Sequence, residues 1–367
     1  MGFQRDAAII ERVVQSVDPA FVAVPDAVHA AAVADMQARA RTGDRDGFLL
    51  SAMRLVALAQ NAHSRVIPNA AILVLPQRFV VRDGQLCACV GDTCVPVVSV
   101  NSVRVADLQA AWQRYLPGPN ARRAVLAALM LAWPAALSVG GVTGPDYAYQ
   151  LADSSIRRCR VAECVPAQAH FTENETGALH AGDDAFPAPL VARHGASWHV
   201  RIADLKALTP ADVETVTEAV RNDPAGVVLD LRGNPGGSFL TALPLVELLA
   251  QPTWDHRCAV LVNGYTFSAA IVVAVLVAAH LGPRAALIGA PMGDSLSFWA
   301  EGGLLDLPDS GAKLRYSTAR HDWHSGRPDP TTPPEIAAHL VAAGDLHIRH
   351  CPDADQIQVA RSCVADG

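Results

Sequence analysis

Lysine is almost missing from this chain: of 29 basic residues only Lys206 and Lys313 are lysines, and the rest are arginines. Chemistry that needs an amine base beside a nucleophile has only those two to draw on. Charge of either sign is sparse, at 18% of residues against 51% hydrophobic. A chain of 367 residues with that balance can bury a large core and is no disordered tail. With a net charge of −7, nothing in the composition points to nucleic acid or an anionic membrane as a partner. The opening stretch MGFQRDAAIIERVVQSVDPAF lacks the basic start, apolar run and small-residue cleavage site of a signal peptide. The expectation is a cytoplasmic protein, or an exported one whose leader has been removed.

Uninterrupted apolar runs of spanning length are also missing. The longest, residues 125–142 (VLAALMLAWPAALSVGGV), carries Pro134 at its middle and Gly140-Gly141 near its end. The run 269–279 is too short to span. Both read as buried helices, and no membrane span is expected. Eight cysteines are present: Cys87, Cys89, Cys94, Cys159, Cys164, Cys258, Cys351 and Cys363. Cys87, Cys89 and Cys94 fall short of the paired four-ligand spacing of a zinc site, so no metal and no cofactor is expected. In an exported protein the first disulfide candidates would be Cys159 with Cys164 and Cys351 with Cys363.

Residues 1–65 read as an N-terminal helical region, with helix-period apolar faces over 7–17, 27–41 and 45–59. Residues 66–140 read as a small β-rich module plus a helix, its strands broken at Asp83-Gly84 and Gly91-Asp92. The stretch 141–195 scatters Gly, Pro and Asp without a period and reads as an irregular linker. From 196 to 350 strands and helices alternate: WHVRIADL, a helix from Pro210 with Thr209 as N-cap, GVVLDL, a helix from Phe239, CAVLVN, a helix from Ala269, then AALIGA. That order implies an α/β fold with a mostly parallel sheet flanked by helices. Residues 351–367 remain as a C-terminal tail.

Two segments in the alternating region carry chemistry. Asp230-Leu231-Arg232-Gly233-Asn234-Pro235-Gly236-Gly237 follows one apolar strand. Its glycines permit positive φ and can turn N–H groups toward an anion. It fits neither a dinucleotide nor a P-loop fingerprint, which leaves an oxyanion hole or a plain strand-to-helix turn. Asn263-Gly264-Tyr265-Thr266-Phe267-Ser268-Ala269-Ala270 follows the next strand. It presents Ser268 at the start of an apolar helix, either as a nucleophile near the helix N-terminus or as an N-cap.

Taken together, DLRGNPGG, a strand, NGYTFSAA and then LIGAPMGD resemble the core of the C-terminal processing (tail-specific, tricorn-like) serine peptidases, family S41. Upstream, Asn61-Ala62-His63-Ser64-Arg65-Val66 resembles that family's histidine-bearing segment, and VVSVNSV over 97–103 resembles the stretch that follows it. The resemblance implies a ClpP/crotonase-like protease core over 196–350. It implies Ser268 as nucleophile, His63 as general base, and an oxyanion hole from the N–H groups of Ala269 and of Gly236 or Gly237. The turn Gly289-Ala290-Pro291-Met292-Gly293-Asp294 lacks the lysine that many members carry there. A serine–lysine dyad is therefore disfavoured, and this chain falls with the histidine-base subgroup. Asp322 is the expected third member, Glu301 the rival acid and His321 a back-up base. The substrate implied is a peptide, with a small acyl compound (ester, thioester or cyclisation substrate) as the alternative. A catalytically inactive binding protein on the same scaffold is the third reading.

Overall fold

The computed structural model of the chain describes residues 2–91, 93–169 and 190–365. Within them the chain is mixed α/β and forms two units, each assembled from separate stretches. One unit comprises Met1–Glu173 with Phe298–Arg320, and the other Asn174–Ser297 with His321–Gly367. Consecutive segments of sequence therefore do not correspond to the units. Residues 298–320, read as part of the core, belong with the N-terminal unit. Hydrophobic pattern reports that a strand is buried, not which partner buries it.

The frame of the second unit is a six-stranded sheet in the order Val191–His194, Ser197–Arg201, Gly226–Asp230, Cys258–Val262, Ala285–Gly289, Ile348–His350. The first pairing is antiparallel and the rest are parallel. Its central strands are continuous apolar runs because helices cover both faces. Val228, Ala259, Leu261 and Ile288 pack against Cys351 and against Ala360 and Val364 of helix Gln356–Ala365. Val227, Leu229, Val260 and Val262 alternate to the other face and are equally buried. Helix Ala269–Leu281 packs against the strands Cys258–Val262 and Ala285–Gly289. Helix Pro210–Asn222 starts as its sequence dictates. Asp212 N–H donates to Thr209 Oγ1 at 3.2 Å, and Thr209 N–H donates back to the Asp212 carboxylate at 2.9 Å.

One expectation fails at the C-terminal end. The supposed tail contains a core helix, whose short apolar face of Ala360 and Val364 is too small to announce itself. Pro334–Ala337 is a single helical turn, and the sheet edge is taken by Ile348–His350.

In the first unit, helices Gln4–Ser16, Asp26–Ala40 and Arg45–Ala57 pack together. The β-rich module is an antiparallel array of Arg78–Arg82, Gln85–Val90, Thr93–Val100, Asp146–Leu151 and Ile156–Arg160. Antiparallel pairing prevails outside the second unit's sheet, so a mostly parallel description does not fit the chain as a whole. The last two strands lie where an irregular linker was expected. Tyr147, Tyr149 and Leu151 do alternate inward, but the Gly- and Pro-rich residues before them obscure so short a pattern. Residues 170–189 of that stretch lie outside the described residues. The apolar run after 125 breaks at Pro134 into helices Asn120–Ala132 and Pro134–Val139. Among the described residues no helix is long and apolar enough to cross a membrane.

The disulfide joins Cys89 and Cys94, which face each other across neighbouring strands with Cα atoms 4.1 Å apart. Cys159, Cys164, Cys351 and Cys363, the candidates for an exported protein, form no disulfide. Cross-strand register, which spacing alone does not reveal, selects the partner. No cluster of metal-ligating side chains occurs among the described residues.

Candidate active site

Parallel strands deliver their following loops to one end of a sheet. In the second unit these are the loop after Gly226–Asp230 and the turn after Cys258–Val262. Buried polar groups stitch the two together. Asn263 Oδ1 accepts from Gly233 N–H at 3.2 Å and from Tyr265 N–H at 3.1 Å. Thr266 Oγ1 accepts from Asn263 N–H and donates to the Leu231 carbonyl, both at 2.9 Å. Phe267 N–H donates to the Asn234 carbonyl at 2.9 Å. Asn234 Nδ2 reaches on to the Ile202 carbonyl at 2.8 Å.

That stitching holds Ser268 at φ 57° and ψ −126°, where a non-glycine residue stores roughly 1–3 kcal/mol of strain. Ser268 is partly exposed between buried neighbours, Thr266 and Phe267 before it and Ala269 and Ala270 after it. It makes no side-chain N-cap bond to the helix it precedes, so the capping role considered from sequence is not the one it fills. Helix Ala269–Leu281 is apolar all round and buried from Ala269 to Val277, which makes it a rigid pedestal.

Gly236 lies against the serine. A Cβ on it would sit 2.7 Å from Ser268 Cβ, 2.9 Å from the Phe267 carbonyl oxygen and 3.1 Å from Ala269 N. Its φ is +102°, so both space and conformation require glycine. Its N–H donates to Asn234 Oδ1 at 2.9 Å. In this structure the single proton there is engaged by Asn234, and the close approach also makes Gly236 the residue that leaves room for Ser268; the sequence expectation named Gly236 or Gly237 as a donor beside Ala269. Gly237 is bridged to Leu205 on the neighbouring segment. Ala269 is the first helical residue, so its N–H has no intrahelical acceptor and sits at the positive end of the helix dipole.

Under this loop lies a buried ion pair. Arg232 Nη2 and Asp230 Oδ2 are 2.7 Å apart, Arg232 Nε donates to Asp230 Oδ1 at 2.9 Å, and Arg232 Nη1 donates to Gln356 Oε1 at 3.3 Å. Burial pushes the Asp230 carboxyl up, but the Arg232 charge and hydrogen bond, with His199 and Arg201 behind them, outweigh it and hold it well below the usual range. The pair fixes the start of the Gly-rich loop.

His63 belongs to the first unit, in the turn between helix Arg45–Ala57 and strand Arg65–Ile67. It is buried, and its ring stacks on Phe298 with centroids 5.1 Å apart and planes inclined by 16°. Glu301, in the same unit, is exposed in a turn at φ 57°. Asp322 is in the second unit, where its carboxylate accepts from Ser325 N–H at 3.0 Å and Ser325 Oγ at 2.7 Å. His321 is buried, its ring 6.4 Å from that of Trp323. Lys313 sits in a strand opposite Ile67 in the first unit, and Lys206 is exposed in a loop of the second. Ser268, Gly236 and Ala269 are thus brought together. The stitching residues Asn234, Asn263 and Thr266 drew no separate notice in the sequence, although all three lie inside the two motifs.

No family model and no curated protein matches the sequence. Solved structures do match. Mature CPAF complexed with lactacystin superposes with a TM-score of 0.53 at 12% identity, covering 98% of this chain and 96% of that one. Mature CPAF alone gives 0.55 at 12% identity, with 98% and 95% covered. A photosystem II D1 C-terminal processing protease gives 0.41 at 15% identity, with 96% and 94% covered. The fold is that of mature CPAF over nearly the whole length of both chains.

Proposed function

We propose that this chain is a serine peptidase that works through an acyl-enzyme on Ser268. The observation that carries the reading is the strained, partly exposed Ser268 at the head of a buried helix, with Gly236 packed against it. Strain of this kind survives only where surrounding bonds over-determine it, and here they fix a hydroxyl beside the unpaired end of a helix. The sequence resemblance to C-terminal processing peptidases supports the same residue, and the fold shared with CPAF is compatible with it.

In this mechanism Ser268 Oγ attacks the peptide carbonyl while His63 takes its proton. The Ala269 N–H, with Gly237 as the second proposed donor, receives the oxyanion. Collapse breaks the C–N bond, and His63 returns the proton to the leaving amine. Water, deprotonated by His63, then attacks the acyl ester. A second collapse frees the carboxylate product and restores Ser268 Oγ–H. Asp322 is the proposed acid that orients His63, with Glu301 as its rival.

The test compares an unstructured protein such as β-casein with small p-nitrophenyl esters as substrates for wild type and Ser268→Ala. Casein cleavage by wild type that is lost in Ser268→Ala supports the peptidase reading. Ester turnover without casein cleavage would move the chain to another acyl transfer, and turnover retained in Ser268→Ala would remove Ser268 from the chemistry.

A further inference from the structure

Four polar side chains buried in the first unit surround the His63 turn, and the proposed reaction has no use for them directly. Asp18, Asn61, Ser64 and Ser317 are all nearly inaccessible to solvent. Ser64 Oγ donates to Asp18 Oδ2 at 2.5 Å. Asn61 Nδ2 donates to Ser64 Oγ at 2.8 Å and to Ser317 Oγ at 2.9 Å. Ser317 N–H donates to Asp18 Oδ2 at 3.1 Å, and Ala20 N–H to Asp18 Oδ1 at 3.0 Å. Ser317 Oγ donates to the Trp299 carbonyl at 3.3 Å. The protons account for themselves: both Asn61 Nδ2 hydrogens and both serine hydroxyl hydrogens have acceptors.

The connections bear on His63 from two sides. Asn61 and Ser64 bracket it in sequence, so fixing both fixes the turn that carries the imidazole. Trp299 follows Phe298, whose ring stacks on His63, so the Ser317 bond to the Trp299 carbonyl fixes the surface against which that ring lies. A carboxylate taken out of water without a cationic partner is costly. Burial pushes the Asp18 carboxyl up, against the lowering effect of the bonds from Ser64, Ser317 and Ala20. A core built only for stability would do as well with apolar groups.

We propose that Asp18, Asn61, Ser64 and Ser317 form a positioning network that sets the orientation of the His63 imidazole for proton transfer. The proposal rests on the reading of His63 as general base. None of the four touches the reacting atoms; they act through His63, and the network is closed, so loss of one hydroxyl loosens the turn.

Acylation by a fluorophosphonate tests this, followed by intact-protein mass spectrometry with rate and saturation constants determined separately. The base reading is measured first: His63→Ala must acylate far more slowly than wild type. Ser317→Ala then removes one hydroxyl at little change in volume. Its maximal acylation rate is expected to fall about tenfold or more, with the saturation constant nearly unchanged, because a small misplacement of a catalytic group is costly. Ser317→Thr, which keeps Oγ, is expected to restore most of the rate. In a His63→Ala background Ser317→Ala should have no further effect, since the group it positions is gone. Asn61→Ala serves as the second variant should Ser317→Ala unfold, and the same pattern is expected. A wild-type rate in both variants, or an equal loss with and without His63, overturns the network while leaving the base reading intact. A wild-type rate in His63→Ala overturns the base reading and the network with it.

Discussion

Gly236 stands so close to Ser268 that a Cβ on the glycine would lie 2.7 Å from that of the serine. Contact at that distance does not occur between real side chains, and the neighbours on either side are backbone atoms that cannot swing away. Gly236→Ala is therefore expected to displace Ser268 and to strain a residue at φ +102°. Acylation should fall by about a hundredfold, with a stability loss of roughly 1–3 kcal/mol. Fluorophosphonate labelling rates and urea melts on the same preparation check both effects. A variant that labels like wild type would show that this approach does not govern the serine.

Thr266→Val keeps the shape of the side chain and removes its oxygen. The Asn263 N–H loses its acceptor, and the Leu231 carbonyl loses one of its donors. An orphaned buried N–H costs about 1–3 kcal/mol, and a lower urea midpoint at unchanged slope is the expected result. The turn that holds Ser268 loosens with it, so labelling should slow as well.

Acid stability should depend on the Asp230–Arg232 pair. The Asp230 carboxyl is held below its ordinary value of 3.8 in the folded chain. The unfolded chain therefore binds the proton more readily between the folded and unfolded values, and stability rises with pH across that interval. The contribution is complete above the ordinary carboxyl range and is lost as pH falls through it toward the folded value. Arg232→Met removes the carboxylate's short partner and leaves it only the longer approaches of His199 at 3.6 Å and Arg201 at 3.9 Å, and a loss of up to about 3–5 kcal/mol is expected at pH 7. The loss should shrink at about pH 3, where protonation removes the poorly compensated charge. Urea midpoints at the two pH values measure it. A loss equal at both would mean that the pair's charge is not what matters.

Alkylation in denaturant without reductant should label Cys87, Cys159, Cys164, Cys258, Cys351 and Cys363, which form no disulfide, and spare Cys89 and Cys94. Reduction should then expose both. Because the bridge closes a short loop, its loss is expected to cost about 2 kcal/mol or less. Peptide mapping that places the bridge between Cys159 and Cys164 would contradict the structure.

The legible parts of this chain were those governed by neighbours in sequence. The helix Ala269–Leu281, the Thr209 cap and the alternation of strand and helix from Ser197 to Gly289 follow from local pattern and from strands buried on both faces. What stayed hidden depends on distant partners. Asp18 and Ser317 meet across 299 positions, and neither residue type marks such a meeting. The excursion of 298–320 into the first unit and the helix hidden in the tail share that cause. At the site, the motifs pointed to Ser268, to Ala269 and to Gly236 or Gly237. That Gly236 contributes space while its N–H is engaged by Asn234 follows only from the bonding around it.

Intact-protein mass spectrometry after treatment with a fluorophosphonate tests the central claim most directly, on wild type, Ser268→Ala and His63→Ala. A single adduct on wild type, missing in Ser268→Ala and formed much more slowly in His63→Ala, is the expected result. Wild type without an adduct, or an adduct that persists in Ser268→Ala, would contradict the assignment of Ser268 as an activated nucleophile.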